Sequence, residues 1–194
     1  MIVVIAFIKK HFGDTPIIGA EVGVFTGKHA LQLLNDLPNL VKLYLIDPYE
    51  AYDDYSPARI KEIVLGPQKA QELLDRNNVD PLRYEWVITH FSADVVPEPL
   101  DFVYIDANHQ YDAVKFDILE ARKIVKMGGI IGGHDYRAKG GVSDAVHEVF
   151  GDDFHHGGKK RRTDWWTIHK CQWCEVWRKL GTNVCIRCGK PLTF

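Results

Sequence analysis

The sequence predicts an α/β fold: a mostly parallel sheet with helices on both faces, followed by a small C-terminal zinc ribbon. Three observations carry this expectation. Short apolar runs alternate with segments of helical spacing through residues 1–168, the pattern of strands joined by crossover helices. Acidic residues and glycines recur where those runs end, at Glu21-Val22-Gly23, Asp47, Asp106 and His134-Asp135. The only cysteines form two matched pairs, Cys171-Gln-Trp-Cys174 and Cys185-Ile-Arg-Cys188, in a tail over residues 169–194.

The elements follow in order. Residues 1–8 are apolar, but far short of the roughly 20 residues of a membrane span. They lack the basic start and small-residue cleavage site of an export signal, so they read as a first helix or strand packed on the core. Ile17–Val22 is a buried strand, and Lys28–Asp36 has helical spacing through Ala30, Leu31, Leu33 and Leu34. Residues 43–46 make a second strand that ends at Asp47-Pro48. Residues 51–64 hold turn-prone and charged residues, a composition that can include a mobile loop. A helix over 68–77 is stopped by Asn77-Asn78 and Asp80-Pro81. Strands are expected over 84–89, 101–105 and 128–133. An amphipathic helix over 112–125 has Ala113, Phe116, Ile118 or Leu119, and Ile124 for its apolar side. A helix over 142–150 and a strand over 165–168 complete the domain. Trp165 and Trp166 read as core aromatics of that strand; Trp173 and Trp177 lie in the ribbon, where one covers its small core.

The cysteine spacing fits a structural zinc site. Each pair puts two thiolates on one tight turn, a hairpin brings the four together, and four thiolates fill a tetrahedral shell. Thiols kept reduced place the chain in the cytoplasm, and no membrane partner is expected. The net charge of −2 excludes nothing by itself, but it is unevenly spread. Residues 159–194 carry nine Lys or Arg against two Asp or Glu, a balance of +7, which leaves −9 for the remainder. Zinc bound to four thiolates lowers the tail to about +5. The densest run, Lys159-Lys160-Arg161-Arg162, is ordinarily a solvated loop, with contact to a nucleic acid or protein partner as the alternative.

Ligands of parallel sheets gather at the carboxyl ends of the strands, so the acidic rim is the candidate site. In Glu21-x-Gly23-x-x-x-Gly27, glycine lets backbone approach a ligand and the following helix offers free N–H donors. Asp47 ends the second strand, where a carboxylate can accept both hydroxyls of a ribose. The run Gly19-Ala-Glu-Val-Gly-Val-Phe-Thr-Gly27 resembles the first motif of class I S-adenosylmethionine-dependent methyltransferases, and Leu43-Tyr-Leu-Ile-Asp-Pro48 resembles the second. Asp101-Phe-Val-Tyr-Ile-Asp-Ala-Asn-His-Gln-Tyr111 and Gly128-Gly-Ile-Ile-Gly-Gly-His-Asp-Tyr136 are similar to the methyltransferase family 24 branch, which includes sugar and macrolide O-methyltransferases. The likeness spans roughly residues 15–168, and the later pair of motifs is its specific part.

That resemblance implies a Rossmann-like, seven-stranded sheet with its last strand antiparallel, and S-adenosylmethionine as cofactor. Glu21, Gly23, Phe25, Thr26 and Gly27 would border it, Asp47 would hold the ribose, and Ser92 and Ala93 would lie near the adenine. It also implies a divalent ion, Mg²⁺ or Mn²⁺, on Asp106, His134 and Asp135, with Asp106 near the cofactor as well. Three positions depart from the pattern: His134 and Asn108 stand where carboxylates are common, and Phe25 where many relatives carry glycine; His134 weakens the case for magnesium and admits manganese, iron or no metal. His109 is the candidate general base, working beside Asp106 and Asp135, because histidine titrates near neutral pH and an attacking hydroxyl must lose its proton. The acceptor is expected to be a small, sugar-like molecule. Residues 50–66, or a second copy of the chain in a homo-oligomer, would cover it.

Two other classes compete. One is a binding protein in which the ribbon and basic run recruit a nucleic acid or protein and the upper domain is a degenerate cofactor fold. The other is a nicotinamide-dependent oxidoreductase, which the missing Gly-x-Gly-x-x-Gly after the first strand disfavours. Elemental analysis of the purified full chain should find about one zinc per molecule; metal-free, folded protein would remove the ribbon.

Overall fold

The computed structural model describes residues 3–51, 56–137, 140–159, 162–171 and 184. Cys174, Cys185 and Cys188, the two tail tryptophans Trp173 and Trp177, and the expected ribbon lie outside the described residues, as do the side chains of the basic run.

Among the described residues, six α-helices and seven strands follow in the order α1 (Val3–Phe12), β1 (Ile17–Val22), α2 (Lys28–Asp36), β2 (Leu40–Ile46), α3 (Pro57–Val64), α4 (Gly66–Arg76), β3 (Tyr84–Val87), β4 (Leu100–Ile105), α5 (Tyr111–Ile124), β5 (Val125–Gly133), α6 (Gly141–Phe150), β6 (His155–Lys159) and β7 (Arg162–Ile168). They form one sheet in the order β3-β2-β1-β4-β5-β7-β6. β1 through β5 pair in parallel, and β7 runs antiparallel to both β5 and β6. Crossovers in both directions from β1 put helices on both faces, which is why the central strands are apolar on both sides.

The alternation along each strand sorts side chains into two cores. Ala20 and Val22, Tyr44 and Ile46, and Val103 and Ile105 face one layer with α5 and α6, packing on Val114, Ile118, Ala121, Val142 and Val146. Ile17, Leu43, Leu45, Phe102 and Tyr104 face the other, with Val4, Ile5 and Ile8 of α1, Leu33 and Leu34 of α2, and Leu74 of α4. The register is tight: a Cβ on Gly19 would sit 2.2 Å from the Phe102 ring, so β1 accepts only glycine beside that side chain.

Three expectations change. Residues 57–64 are helical, not loop. Ser56 accepts a hydrogen bond from the Arg59 N–H at 3.3 Å and Pro57 opens the first turn. Only Ile63 of α3 is buried, which explains the weak apolar signal. β6 was not expected, because His155-His156-Gly157-Gly158 has no apolar alternation; its ladder to β7 holds it at the sheet edge. On α5 the core side is Val114, Ile118 and Ala121, whereas Phe116 and Leu119 are exposed.

Arg83, just before β3, ties the far end of the fold together. Its guanidinium donates to the carbonyls of Leu34, Leu37 and Leu40 at 3.0–3.1 Å, satisfying groups left open where α2 ends. Arg83→Ala should cost about 2 kcal/mol in urea unfolding, and Arg83→Lys, lacking the planar fork, should recover only part of it. Unchanged stability of the alanine variant would contradict this capping role.

Candidate active site

Backbone hydrogen bonds carry the sheet ladder one residue past the strand ends and fix the rim. Gly23 N–H donates to Ile46 O at 2.9 Å, Asp106 N–H to Val22 O at 2.8 Å, His134 N–H to Ile105 O at 3.0 Å, and Asp47 N–H to Val87 O at 3.3 Å. The rim residues are therefore placed by neighbouring strands rather than by loops. Gly23 has φ 91°, and a Cβ there would stand 2.4 Å from the Asp106 carbonyl oxygen, so only glycine lets the turns after β1 and β4 meet. Phe25, Tyr49 and Asp135 also hold positive φ, at 51°, 53° and 56°. Such backbone is held against its preference by what surrounds it, and here all three residues flank the rim.

A cavity of about 390 Å³ opens over this rim. Gly23, Phe25, Asp47, Phe91, Asp106 and Asp117 are among the residues that line it. Asp47 is held from behind: one carboxylate oxygen accepts from Phe25 N–H at 2.9 Å and the other from Tyr49 N–H at 2.7 Å. Each oxygen keeps a lone pair for a ligand.

Not every expected residue reaches the cavity. Glu21 does not line it: the side chain is 1% exposed and sits one layer below. Its Oε1 meets His29 Nδ1 at 3.0 Å, and Oε2 has no partner. Burial pushes its carboxyl above the usual range, with His29 opposing and the Asp106 and Asp47 charges adding to the rise. His29 stacks on Tyr104 with centroids 4.0 Å apart; Tyr104 O–H donates to Asp164 at 3.2 Å, and Asp164 accepts from Val4 N–H at 3.2 Å. Glu21 thus begins a buried polar chain that ends at α1. Thr26 and Gly27 are also absent from the lining, Gly27 backing onto Ala70 of α4. Ser92 and Ala93 stand outside it as well. Ser92 O–H donates to Asp94, and Ala93 N–H is taken by Glu120 at 2.9 Å, so His90 and Phe91 supply the wall after β3.

A second cluster lies beside Asp106. His109 Nε2 is 3.3 Å from Asp106 Oδ1, and its Nδ1 is 3.3 Å from Asp135 Oδ2. His134 Nδ1 lies 3.8 Å from Asp106 and 3.5 Å from Asp135. Asp106, His134 and Asp135 can each offer one ligand atom with all three within 4.8 Å of one another. With a carboxylate on each ring nitrogen, the charged imidazolium is favoured: the hydrogen bond to Asp106 raises the His109 pKa most, and the Asp135 charge adds to it. A smaller cavity of about 180 Å³ opens past His109 and Asp135, bounded by Arg137, Val142 and Ser143. The expected triad of His109, Asp106 and Asp135 is thus one cluster standing between two cavities.

Asp117 was not singled out from the sequence. It lies on α5 one turn after Ala113, which also lines the larger cavity, and is 8% exposed. Burial, with the Glu120 charge second, pushes its carboxyl up to about 7.

A family model described as a methyltransferase domain matches residues 20–136. Among curated proteins none matches the sequence. Solved structures share the fold at low identity. An rRNA methylase from Streptococcus thermophilus is 14% identical, with a TM-score of 0.56 over 87% of this chain and 95% of that one. The O-methyltransferase TomG from Streptomyces achromogenes, in complex with S-adenosylmethionine, is 17% identical, with a TM-score of 0.58 over 87% and 78%. An O-methyltransferase from Bacillus cereus in complex with S-adenosylhomocysteine is 16% identical, with a TM-score of 0.57 over 85% and 78%. At these identities the likeness to the three is one of fold.

The Asp117 carboxyl sets a pH dependence. Its pKa is raised on folding, so ionising it opposes the native state; that penalty is absent at low pH and grows as pH rises from about 4 toward 7. Asp117→Asn should therefore stabilise the protein by roughly 2–4 kcal/mol at pH 8 and by almost nothing at pH 4. Equal effects at both pH values in denaturant melts would contradict the buried, neutral acid.

Proposed function

The chain belongs to the methyltransferase domain family and is an S-adenosylmethionine-dependent methyltransferase, and from that premise we propose O-methyl transfer to a hydroxyl of a small, sugar-like acceptor. The observation that carries this reading is the placement of one carboxylate cluster between two cavities.

The larger cavity suits the cofactor. Its volume falls in the range of small-molecule sites, about 300–1,000 Å³. Asp47 presents two outward lone pairs for the ribose hydroxyls, and Asp106 offers negative charge to a sulfonium. S-adenosylmethionine, when bound, supplies an electrophilic methyl group. The smaller cavity opens on the other side of His109 and is the place for the acceptor.

His109 takes the hydroxyl proton as the oxygen attacks. With both ring nitrogens facing carboxylates, His109 must first release one of them. A divalent ion on Asp106, His134 and Asp135 would do this by engaging those same oxygens, leaving a ring nitrogen free to accept. Two carboxylates and one imidazole suit Mn²⁺ better than Mg²⁺, because imidazole is the softer donor. The ion would also orient the acceptor oxygen and lower its pKa. Within this proposal, zinc on Cys171, Cys174, Cys185 and Cys188 is structural and takes no part in the transfer. No helix among the described residues is long and apolar enough to cross a membrane.

Calorimetry tests the cofactor half. The chain should bind S-adenosylmethionine, and Asp47→Ala should weaken binding at least about tenfold; folded protein that does not bind it would refute the reading. A panel of glycosides with labelled cofactor tests the chemistry. His109→Ala should lower kcat about 10²–10⁴-fold while cofactor affinity stays unchanged, and Mn²⁺ should restore activity lost to a chelator. Full turnover in His109→Ala would remove it from the mechanism.

A further inference from the structure

We propose that Asp117 recognises the adenine of the cofactor by accepting a hydrogen bond from its exocyclic 6-amino group. The inference rests on the methyltransferase reading of the larger cavity and adds a residue to it.

Four observations on the chain lead there. First, the cavity has a mixed lining. Asp47 and Asp106 supply carboxylates for ribose and sulfonium. Ile63, Phe91, Ala113 and Phe116 supply apolar surface against which a flat heteroaromatic base can pack. Second, Asp117 lines the same cavity, immediately after Phe116 and one turn after Ala113 on the same helix.

Third, the carboxyl has no hydrogen-bond donor or cation partner among the described residues, although 92% of its surface is covered. The carboxylate electrostatically closest to it is Glu120, which repels it. A carboxyl left unpaired in an apolar wall costs stability and is retained when a ligand completes it. Its raised pKa gives it a second use: near neutral pH part of the population is the acid, which can donate to adenine N1 while its other oxygen accepts from the amino group. Adenine offers that acceptor and donor side by side.

Fourth, several other polar groups at or beside the cavity are already engaged. The Ala93 N–H, which follows β3 and would otherwise reach a base edge, is bonded to Glu120. His90 and Glu50 pair with each other at 3.2 Å and are both exposed. Arg59 lies 4.3 Å over the Phe25 ring. Two further lining groups remain open to a ligand, Asp117 and the Tyr49 hydroxyl, which is buried without a hydrogen-bond partner; of the two, Asp117 is the carboxyl that can accept from an amino group.

The test is a cycle between the side chain and the 6-amino group. Calorimetry on the full chain compares S-adenosylhomocysteine with the analogue whose base is unsubstituted purine, in wild type, Asp117→Asn and Asp117→Leu. Wild type should prefer the adenine ligand about tenfold. Asp117→Leu should bind both ligands alike, with adenine affinity down about tenfold or more. Asp117→Asn, whose amide offers an acceptor and a donor, should keep most of the preference. Asp117→Leu that weakens both ligands equally, with the preference intact, would show a merely structural role and overturn the proposal. Equal binding of the two ligands by wild type would also overturn it. Failure of wild type to bind S-adenosylhomocysteine at all would sink both this proposal and the cofactor reading beneath it.

Discussion

The site depends on the meeting of two backbone turns. Gly23 after β1 and residues 106–107 after β4 come so close that a single methyl group on Gly23 would sit 2.4–2.6 Å from main-chain atoms. Hydrogen bonds from Gly23 to Ile46 and from Asp106 to Val22 lock that approach into the sheet ladder. Through it Asp47, Asp106 and the turn at His134-Asp135 become one rim rather than three separate loop ends. A site built on strand ends inherits the rigidity of the sheet, which is what alignment of three reacting atoms requires.

The electrostatics of that rim are unbalanced by construction. Asp106 and Asp135 face each other across His109, and Glu21 lies buried beneath with an unsatisfied oxygen. Negative charge held this way favours cations: an imidazolium, a metal ion or a sulfonium each relieves it. The chain from Glu21 through His29, Tyr104 and Asp164 to the Val4 backbone links this charge to the helix that starts the fold. Glu21 thus belongs to the buried platform of the rim and not to the cavity lining.

Much of the architecture was legible because the strands are short, apolar and bounded. Ile17–Val22 and Lys28–Asp36 were read at the limits they have, and the rim residues followed as the residues next in line. What stayed hidden shares a physical cause. α3 buries one side chain and β6 is polar and glycine-rich, so neither carries a periodic apolar signal; a cap and a neighbouring strand hold them. In the site, Asp47, Asp106, His109, His134 and Asp135 were visible from position. Asp117 was not, because a carboxylate on an amphipathic helix ordinarily faces water, and only the three-dimensional path of α5 turns it toward a cavity. The same limit applies to Ser92 and Ala93: their place after β3 was legible, but the prior engagement of the Ala93 N–H by Glu120, 27 residues away in sequence, was not.

The most direct measurement is a crystal structure of the chain grown with S-adenosylhomocysteine and Mn²⁺. The account predicts the ribose hydroxyls on Asp47, the sulfur beside Asp106, the base against Phe91 and Phe116, and the ion on Asp106, His134 and Asp135. A ligand seated elsewhere, with the cleft between Asp47 and Asp106 filled by solvent, would contradict it.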